Sequence, residues 1–335
     1  MKQEEKNSAV RYVGIDVSAR VLVVAVGGEG LAWQVRELAN TAAGQQQLQH
    51  MLGKTSGRTR VCLEASGNYS LDVSLLLHRL PGVELSVINP RMARRFAESL
   101  GERSKTDPVD ARVLGEYAAR MPLQPWAPPG AAALKLRGMT RAIDALVRTQ
   151  TQGKNRKHAI AVSAALPRVV AQELARHEKY LAHRIEQLRK QARPLVEANA
   201  ELQRQWQHLQ SVPGIGETSA LAILGELAVL PPTLDARQWV AHSGLDPRHH
   251  RSGSSIEWQP RISRAGNARL RAALYMPALV AVQHEPHLRR FYQRLLAHGK
   301  AKLQALTAVM RKLLHGIYAM LHHDEDYDGG KLCAA

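Results

Sequence analysis

A leucine recurs at every seventh residue through Leu174, Leu181, Leu188, Leu195, Leu202 and Leu209, with Ile185, Ala192 and Trp206 at the intervening seam position. Only a helix returns side chains seven apart to one face, so the stretch predicts a long helix with an apolar seam, the pattern of a coiled coil. Pro194 has no amide hydrogen and predicts a kink in it. Leu136, Met139, Ile143 and Leu146 supply a second seam upstream, and Pro167 separates the two helices. An internal hairpin and a pairing between subunits both satisfy such seams, the hairpin being the simpler. Residues 131–210 carry fifteen Lys and Arg against six acids, +9 of the chain's +17. A basic excess on the outer faces suits a polyanion lying along them.

With 335 residues, the chain has room for two or three domains. Its excess of Lys and Arg, without any apolar run of membrane-spanning length, points to nucleic acid rather than a bilayer. Aromatic residues are only 4%, which argues against base stacking as the main mode of binding. Cys62 and Cys333 form no metal-type spacing and read as reduced thiols of a cytoplasmic protein. Met1 to Ser8 are polar and of mixed charge, unlike a secretory signal.

The first ninety residues alternate differently. Arg11 to Val17, Val21 to Val26 and Leu31 to Val35 read as a three-strand meander, and Asn40 and Thr41 precede a Gln-rich helix with Leu48, Met51 and Leu52. A strand at Arg60 to Glu64, a helix at Leu71 to Leu80 and a strand at Leu85 to Ile88 follow. A meander followed by alternating strand and helix predicts an α/β domain with a mixed sheet. Asp16 and Glu64 stand at strand ends directly after apolar runs, at the carboxyl rim where open α/β sheets gather ligands. In Lys105-Thr106-Asp107-Pro108-Val109-Asp110-Ala111-Arg112, Asp107 is expected to cap a helix, Pro108 to open it and Asp110 to share the face of Asp107. Taken alone this is an ordinary capped helix start. With Asp16 and Glu64 it makes four carboxylates, which repel unless they hold divalent cations, and paired Mg²⁺ or Mn²⁺ ions suit attack on a phosphodiester.

Pro122, Pro125, Pro128 and Pro129 surround Trp126 and read as a linker before the helical segment. Beyond that segment, Val212-Pro213-Gly214-Ile215-Gly216 looks like a helix-hairpin-helix turn, in which Gly214 and Gly216 free backbone amides for a DNA phosphate; a tight interhelical turn explains it almost as well. The loop Ser252-Gly253-Ser254-Ser255 is flanked by Arg248, Arg251, Arg261 and Arg264, which suit a phosphate and the charge that develops on it under attack. From residue types alone the loop reads first as phosphate binding, and second as the seat of a serine nucleophile. A helix through Leu270, Leu274 and Met276 follows it. Leu288 to Leu321 is helical, with Leu295, Leu296, Leu303, Leu306, Met310, Leu313 and Ile317 as expected core. His322, His323 and the acids from Asp324 to Asp328 read as a frayed tail rather than a metal site.

Gly14-Ile15-Asp16, Leu63-Glu64-Ala65-Ser66-Gly67, Val87-Ile88-Asn89-Pro90 and the Lys105 to Arg112 run resemble the DEDD insertion-sequence transposases. Their N-terminal domain has the ribonuclease-H-like (RuvC-like) fold of the Holliday-junction resolvases. Pro213 to Gly216, Gly244-Leu245-Asp246-Pro247-Arg248, Ser252 to Ser255 and Arg261-Ile262-Ser263-Arg264-Ala265-Gly266 resemble the C-terminal transposase domain of the branch described as bridge-RNA-guided recombinases. Asp246 departs from the Thr expected there. The resemblance runs from about Tyr12 to about His322 and implies three parts: a RuvC-like domain at 10–124, a basic coiled-coil arm at 131–210 and a mainly helical transposase domain at 211–323. It further implies Asp16, Glu64, Asp107 and Asp110 as Mg²⁺ or Mn²⁺ ligands, and Ser252 as nucleophile. The implied partners are donor and target DNA, a structured non-coding bridge RNA, and further copies of the chain in a tetramer built as a dimer of dimers. A metal-dependent nuclease or junction resolvase would need only the four acids, with water as nucleophile. A non-catalytic architectural protein would need only the basic arm and the glycine turn.

Overall fold

The computed structural model describes residues 10–28, 32–53, 57–162, 168–252 and 256–333, with the backbone alone for 249–252, 256–260 and 333. Met1–Ser8, Leu31, Pro167 and Gly253–Ser255 lie outside the described residues. The chain forms two compact units, Met1–Pro128 and Pro129–Ala335.

In the first unit, strand β1 (Arg11–Val17) is buried along most of its length, and its alternate residues serve two layers. Val13, Ile15 and Val17 join Leu48 and Leu52 of α1 (Ala42–Gly53) and Val73 and Leu77 of α2 (Leu71–His78). Tyr12, Gly14 and Asp16 alternate with them toward the opposite face. There Tyr12 packs with Leu114 and Tyr117 of α4 (Asp107–Arg120). Gly14 lies so close beneath α4 that a Cβ would fall 2.0 Å from the Ala111 carbonyl oxygen. Glycine at this position is what lets the helix settle onto the strand.

Strands β2 (Val21–Gly28), β3 (Gln34–Ala39), β4 (Thr59–Glu64) and β5 (Val83–Ile88) complete a sheet of order β3-β2-β1-β4-β5. The β1 to β3 meander is antiparallel, and β4 and β5 run parallel to β1. This mixed five-strand sheet is consistent with a ribonuclease-H-like domain. The third strand begins later than the Leu31 to Val35 run suggested, because β3 is an exposed edge strand whose register is set by pairing, with Val26 opposite Gln34 and Val21 opposite Ala39. Trp33 precedes the strand, lies against Gly27 and Gly115, and donates its indole N–H to Glu116 at 2.8 Å. Asn89 caps α3 (Pro90–Ser99) by accepting from the Arg91 amide. The proline-rich segment is tied down as well as linking: the Trp126 amide donates to the Leu85 carbonyl at 2.7 Å, and its ring joins the sheet core.

The start of α4 corrects one expectation. Thr106 is the N-cap, not Asp107, since the Asp110 amide already donates to the Thr106 carbonyl at 2.9 Å. Asp107 thus sits in the first turn with a carboxylate not used as the cap.

In the second unit α5 (Ala131–Ala161) and α6 (Arg168–Glu197) lie antiparallel. Lys157 meets Glu178 near one end, and Leu136 shares a cluster with Ala192 and Val196 near the other. Burial does not keep strict seven-residue spacing. It follows Leu181, Ile185, Ala192 and Val196, while Leu174, Leu188 and Leu195 are half-buried. A straight helix drifts about 20° per heptad, which moves the seam from 195 to 196. The helix also runs through exposed Pro194 and ends three residues later at Glu197, and Asn199 accepts from the Leu202 amide and starts α7 (Ala200–Ser211).

The rest of the second unit comprises α8 (Glu217–Leu227), α9 (Ala236–Ser243), the hairpin β6 (Pro247–Ser252) and β7 (Ile256–Ile262), α10 (Ala268–Ala273), α11 (Tyr275–His284), α12 (Pro286–Ala297), α13 (Lys302–His323) and α14 (Gly329–Cys333). Helix α13 is the core element, burying Leu306, Val309, Met310, Leu313, Leu314 and Ile317. Leu303 in its first turn is 64% exposed and Met276 in α11 is 55% exposed, so neither is core; Leu295 and Leu296 are half-buried. The helix expected through Met276 divides at Leu274, which closes α10 and precedes α11. The acidic tail is not frayed. His208 bonds Asp326 at 2.8 Å and Asp324 at 3.1 Å, the Tyr327 amide donates to Ser211 at 2.9 Å, and Asp328 accepts from the Gly330 amide in α14. Complementary charge on α7, invisible in the tail's own sequence, holds it. Among the described residues no helix is long and apolar enough to cross a membrane.

Candidate active site

The two-layer use of β1 and β4 determines where the acids go. Asp16 shares the α4 face of β1 with Gly14, and Glu64 alternates with Leu63 to share the face of Cys62, which packs with Leu114 of α4. Because α4 rides on Gly14, its first turn carries Asp107 and Asp110 toward that same rim. Electrostatics record the convergence. Asp16 has its pKa raised first by burial, then by Asp107 and Asp110, against the lowering effect of the Val17 amide and Lys105. Glu64 is raised by burial, Asp16 and Asp110, and Asp110 by burial and Asp107, with Lys105 opposing both. The structure therefore brings Asp16 and Asp110 each within electrostatic range of the other three acids and adds Lys105, a cation whose partners were not evident from its place in the sequence.

Among the described residues no three His, Cys, Asp or Glu side chains stand close enough to hold a metal ion. The donor set nevertheless fits a hard divalent cation in kind: it is all carboxylate oxygen, and its members disfavour each other's charge until a cation neutralises them. Cys62, free and fully buried beside them in β4, has its pKa pushed up to about 12 by burial and offers no soft ligand.

The serine lies in the second unit. Ser252 closes β6, its backbone opposite Ile256, and Arg251 stands opposite Glu257. Arg248 faces Arg261 across the hairpin, both exposed. Like charges opposite each other destabilise a ladder and favour an anion between them. Exposed Arg264 adopts a left-handed backbone (φ 52°), a strained conformation for a non-glycine residue, with its amide donating to the Gly244 carbonyl at 3.1 Å. The Ser263 hydroxyl donates to Asp246, so the departure at Asp246 has a structural use at the hairpin root. The glycine turn divides. Gly214 (φ 98°) is demanded by packing, since a Cβ would fall 2.7 Å from the Pro277 carbonyl oxygen, whereas Gly216 is exposed, with open space around it, at the N-terminus of α8.

Comparison with known proteins bears on both units. A transposase family of the DEDD, IS110 type matches residues 13–164, and the Transposase IS116/IS110/IS902 family matches residues 206–293. The chain is 28% identical over 323 residues to the pilin gene-inverting protein of Moraxella bovis, covering 95% of this chain and 97% of that one. It is 30% identical over 246 residues to the pilin gene-inverting protein of Moraxella lacunata, covering 73% and 74%. The chain belongs to the IS110 transposase family. A transposase of insertion sequence element IS1328 from Yersinia enterocolitica is also 28% identical over 226 residues, 60% of this chain and 65% of that one.

As a transposase the protein is an enzyme that cleaves and rejoins DNA. The first family match spans the four acids, and the second spans Ser252 and its arginines. The transposase also contains a polar centre that motif reading missed. Buried Glu226 of α8 receives two 2.8 Å hydrogen bonds from Arg141 of α5 and one of 2.7 Å from Asn267, which caps α10 directly after the hairpin. Burial alone would raise the Glu226 pKa, but the bonds from Arg141 and Asn267 hold it low. Glutamate among apolar residues at helical spacing was the available signal; its partners lie 85 and 41 residues away.

Proposed function

We propose that this IS110 transposase exchanges DNA strands through a covalent serine intermediate, using the four acids of its first unit and the arginine-flanked hairpin of its second. The observation that carries the reading is the convergence of Asp16, Glu64, Asp107 and Asp110 on one rim, an arrangement whose mutual repulsion calls for cations where a phosphodiester is to react. Members of the DEDD family typically use a divalent metal, and bound Mg²⁺ would stabilise the charge of the attacked phosphate and ease deprotonation of a hydroxyl. Asp16, Glu64, Asp107 and Asp110 would hold it.

In the proposed reaction the Ser252 oxygen bonds to phosphorus as the phosphorus–oxygen bond to one DNA strand breaks. The serine proton is lost and the departing sugar oxygen gains one, so the exchange conserves one phosphodiester-type bond for rejoining. Arg248, Arg251, Arg261 and Arg264 neutralise the phosphate and its developing charge, with the Gly216 amide as a further phosphate contact. Functionally we divide the chain into the catalytic domain at 10–124, the basic coiled-coil arm at 131–210 and the serine-bearing domain at 211–323. The low aromatic content and basic arm suit a protein that leaves sequence reading to base pairing, so donor and target DNA would be selected by a bridge RNA, in a tetramer acting in the bacterial cytoplasm. Relatives named for inverting a pilin gene support rejoining over simple nicking as the outcome.

Labelled donor and target DNA, incubated with protein, Mg²⁺ and RNA transcribed from the flanks of the element, test the proposal on a denaturing gel. The expected result is a protein-linked DNA band that Ser252→Ala eliminates. Cleavage by both proteins without such a band would make water the nucleophile and replace this mechanism with that of a metal-dependent resolvase.

A further inference from the structure

The second unit holds a cavity of about 920 Å³ between α9, α12, α13 and the C-terminal segment. Arg311, Lys312 and His315 stand on one face of α13, four residues from first to last, and Arg237 of α9 joins them. Arg311, Lys312 and His315 are half-buried and Arg237 is exposed. Among the described residues none of the three permanent cations pairs with a carboxylate; Lys312 only lies over the Phe291 ring, 5.2 Å from its centre. Burial lowers the pKa of His315 most, and Arg311, Lys312 and Arg237 lower it further, so the three cations are close enough to act on one ring.

The acids lining the same cavity are already engaged. Glu325 pairs with Lys331 at 2.6 Å, Asp326 with His208 at 2.8 Å, Asp328 accepts from the Gly330 amide, and Asp246 accepts from Ser263. Half-buried cations facing one space with no anion of their own lose hydration without recovering it, unless a ligand brings the charge. Pro247, which lines the cavity, is the first residue of the strand that ends in Ser252.

We propose that this cavity binds the phosphodiester backbone of a single nucleic-acid strand, with Arg237, Arg311 and Lys312 as its phosphate contacts. A volume of about 920 Å³ corresponds to a space about 10 Å across, and a B-DNA duplex, whose major groove alone is roughly 12 Å wide, is too broad for it, so a duplex stays outside while one strand enters. The site rests on the proposed function only in treating the β6-β7 hairpin as the reacting element; strand binding itself requires no serine chemistry.

Fluorescence anisotropy of the full chain in EDTA, where metal-dependent cleavage is silent, separates the two ideas. The probes are short labelled single-stranded DNA, the matching RNA and the DNA duplex. Arg311→Ala/Lys312→Ala is expected to weaken binding of at least one single strand by about tenfold or more, and to make its log K against log salt slope shallower by about 1.4, since each phosphate contact contributes about 0.7. Duplex binding is expected to remain at the wild-type level. Loss with the DNA strand assigns the site to substrate, and loss with the RNA strand to a guide. Arg237→Ala, at an exposed side chain in the first turn of α9, reports the same loss in smaller measure without risk to the core. Wild-type affinity of both variants for both strands, or an equal loss on the duplex, overturns the proposal, whatever the Ser252→Ala gel shows.

Discussion

At Asp16 the cost of crowding carboxylates together is visible in one side chain. Its carboxyl is held above its ordinary range by burial, by Asp107 and by Asp110. A raised folded-state pKa contributes stability that is complete below the unfolded value of about 3.9 and is lost as pH rises through the folded value. Metal-free Asp16→Asn is therefore expected to melt a few degrees above wild type at neutral pH, with the difference shrinking toward about pH 4, in calorimetry on both proteins. Added Mg²⁺ raises the wild-type midpoint more than that of the variant, and DNA cleavage by the variant falls by about 10²-fold or more. Wild-type cleavage by Asp16→Asn would remove the residue from the site. Asp16 and Glu64 were legible as candidate ligands because a carboxylate directly after an apolar strand has no packing reason to be there. Gly14 and Lys105 were not, since what each does depends on elements that reach it from elsewhere in the chain.

Among the elements, α6 shows how local rules compete. Proline within a helix removes a hydrogen bond and costs about 3 kcal/mol, yet α6 continues through Pro194 because that position is exposed while Ala192 and Val196 on either side are buried. The helix stops at Glu197, and Asn199, whose side chain offers the Leu202 amide a partner, starts the next one. Pro194→Ala is accordingly expected to stabilise the transposase in urea melts by up to about 3 kcal/mol, and Asn199→Ala to destabilise it by about 1 kcal/mol. A neutral Asn199→Ala would show that burial of Leu202 and Trp206, not the cap, places the break. The heptad leucines predicted the helices correctly but not their division, because spacing reports which side is apolar and says nothing about where a neighbouring core ends.

For the whole molecule, the +17 charge is not all available to a polyanion. Lys154 and Lys157 share Glu178, whereas Lys179 and Lys190 make no ion pair among the described residues. Lys179→Ala/Lys190→Ala is expected to weaken non-specific duplex binding and make its salt slope shallower by about 1.8, at about 0.9 for each phosphate contact; Lys154→Ala/Lys157→Ala does less, because it also frees an acid. Equal slopes for the two double variants would mean that Glu178 does not screen its lysines. Apolar periodicity, charge and the motifs around Asp16, Glu64, Asp107 and Ser252 were sufficient to establish the mixed α/β start, the basic helical middle and the family, since each is written in neighbouring residues. The tertiary structure alone decided that α4 descends on Gly14 to deliver two of the acids, that Glu226 joins α5 to the helix after the hairpin, and that the acidic tail folds back onto His208. Those outcomes depend on close approach and on charge pairs between residues dozens of positions apart, which acquire an energy only when the chain has folded.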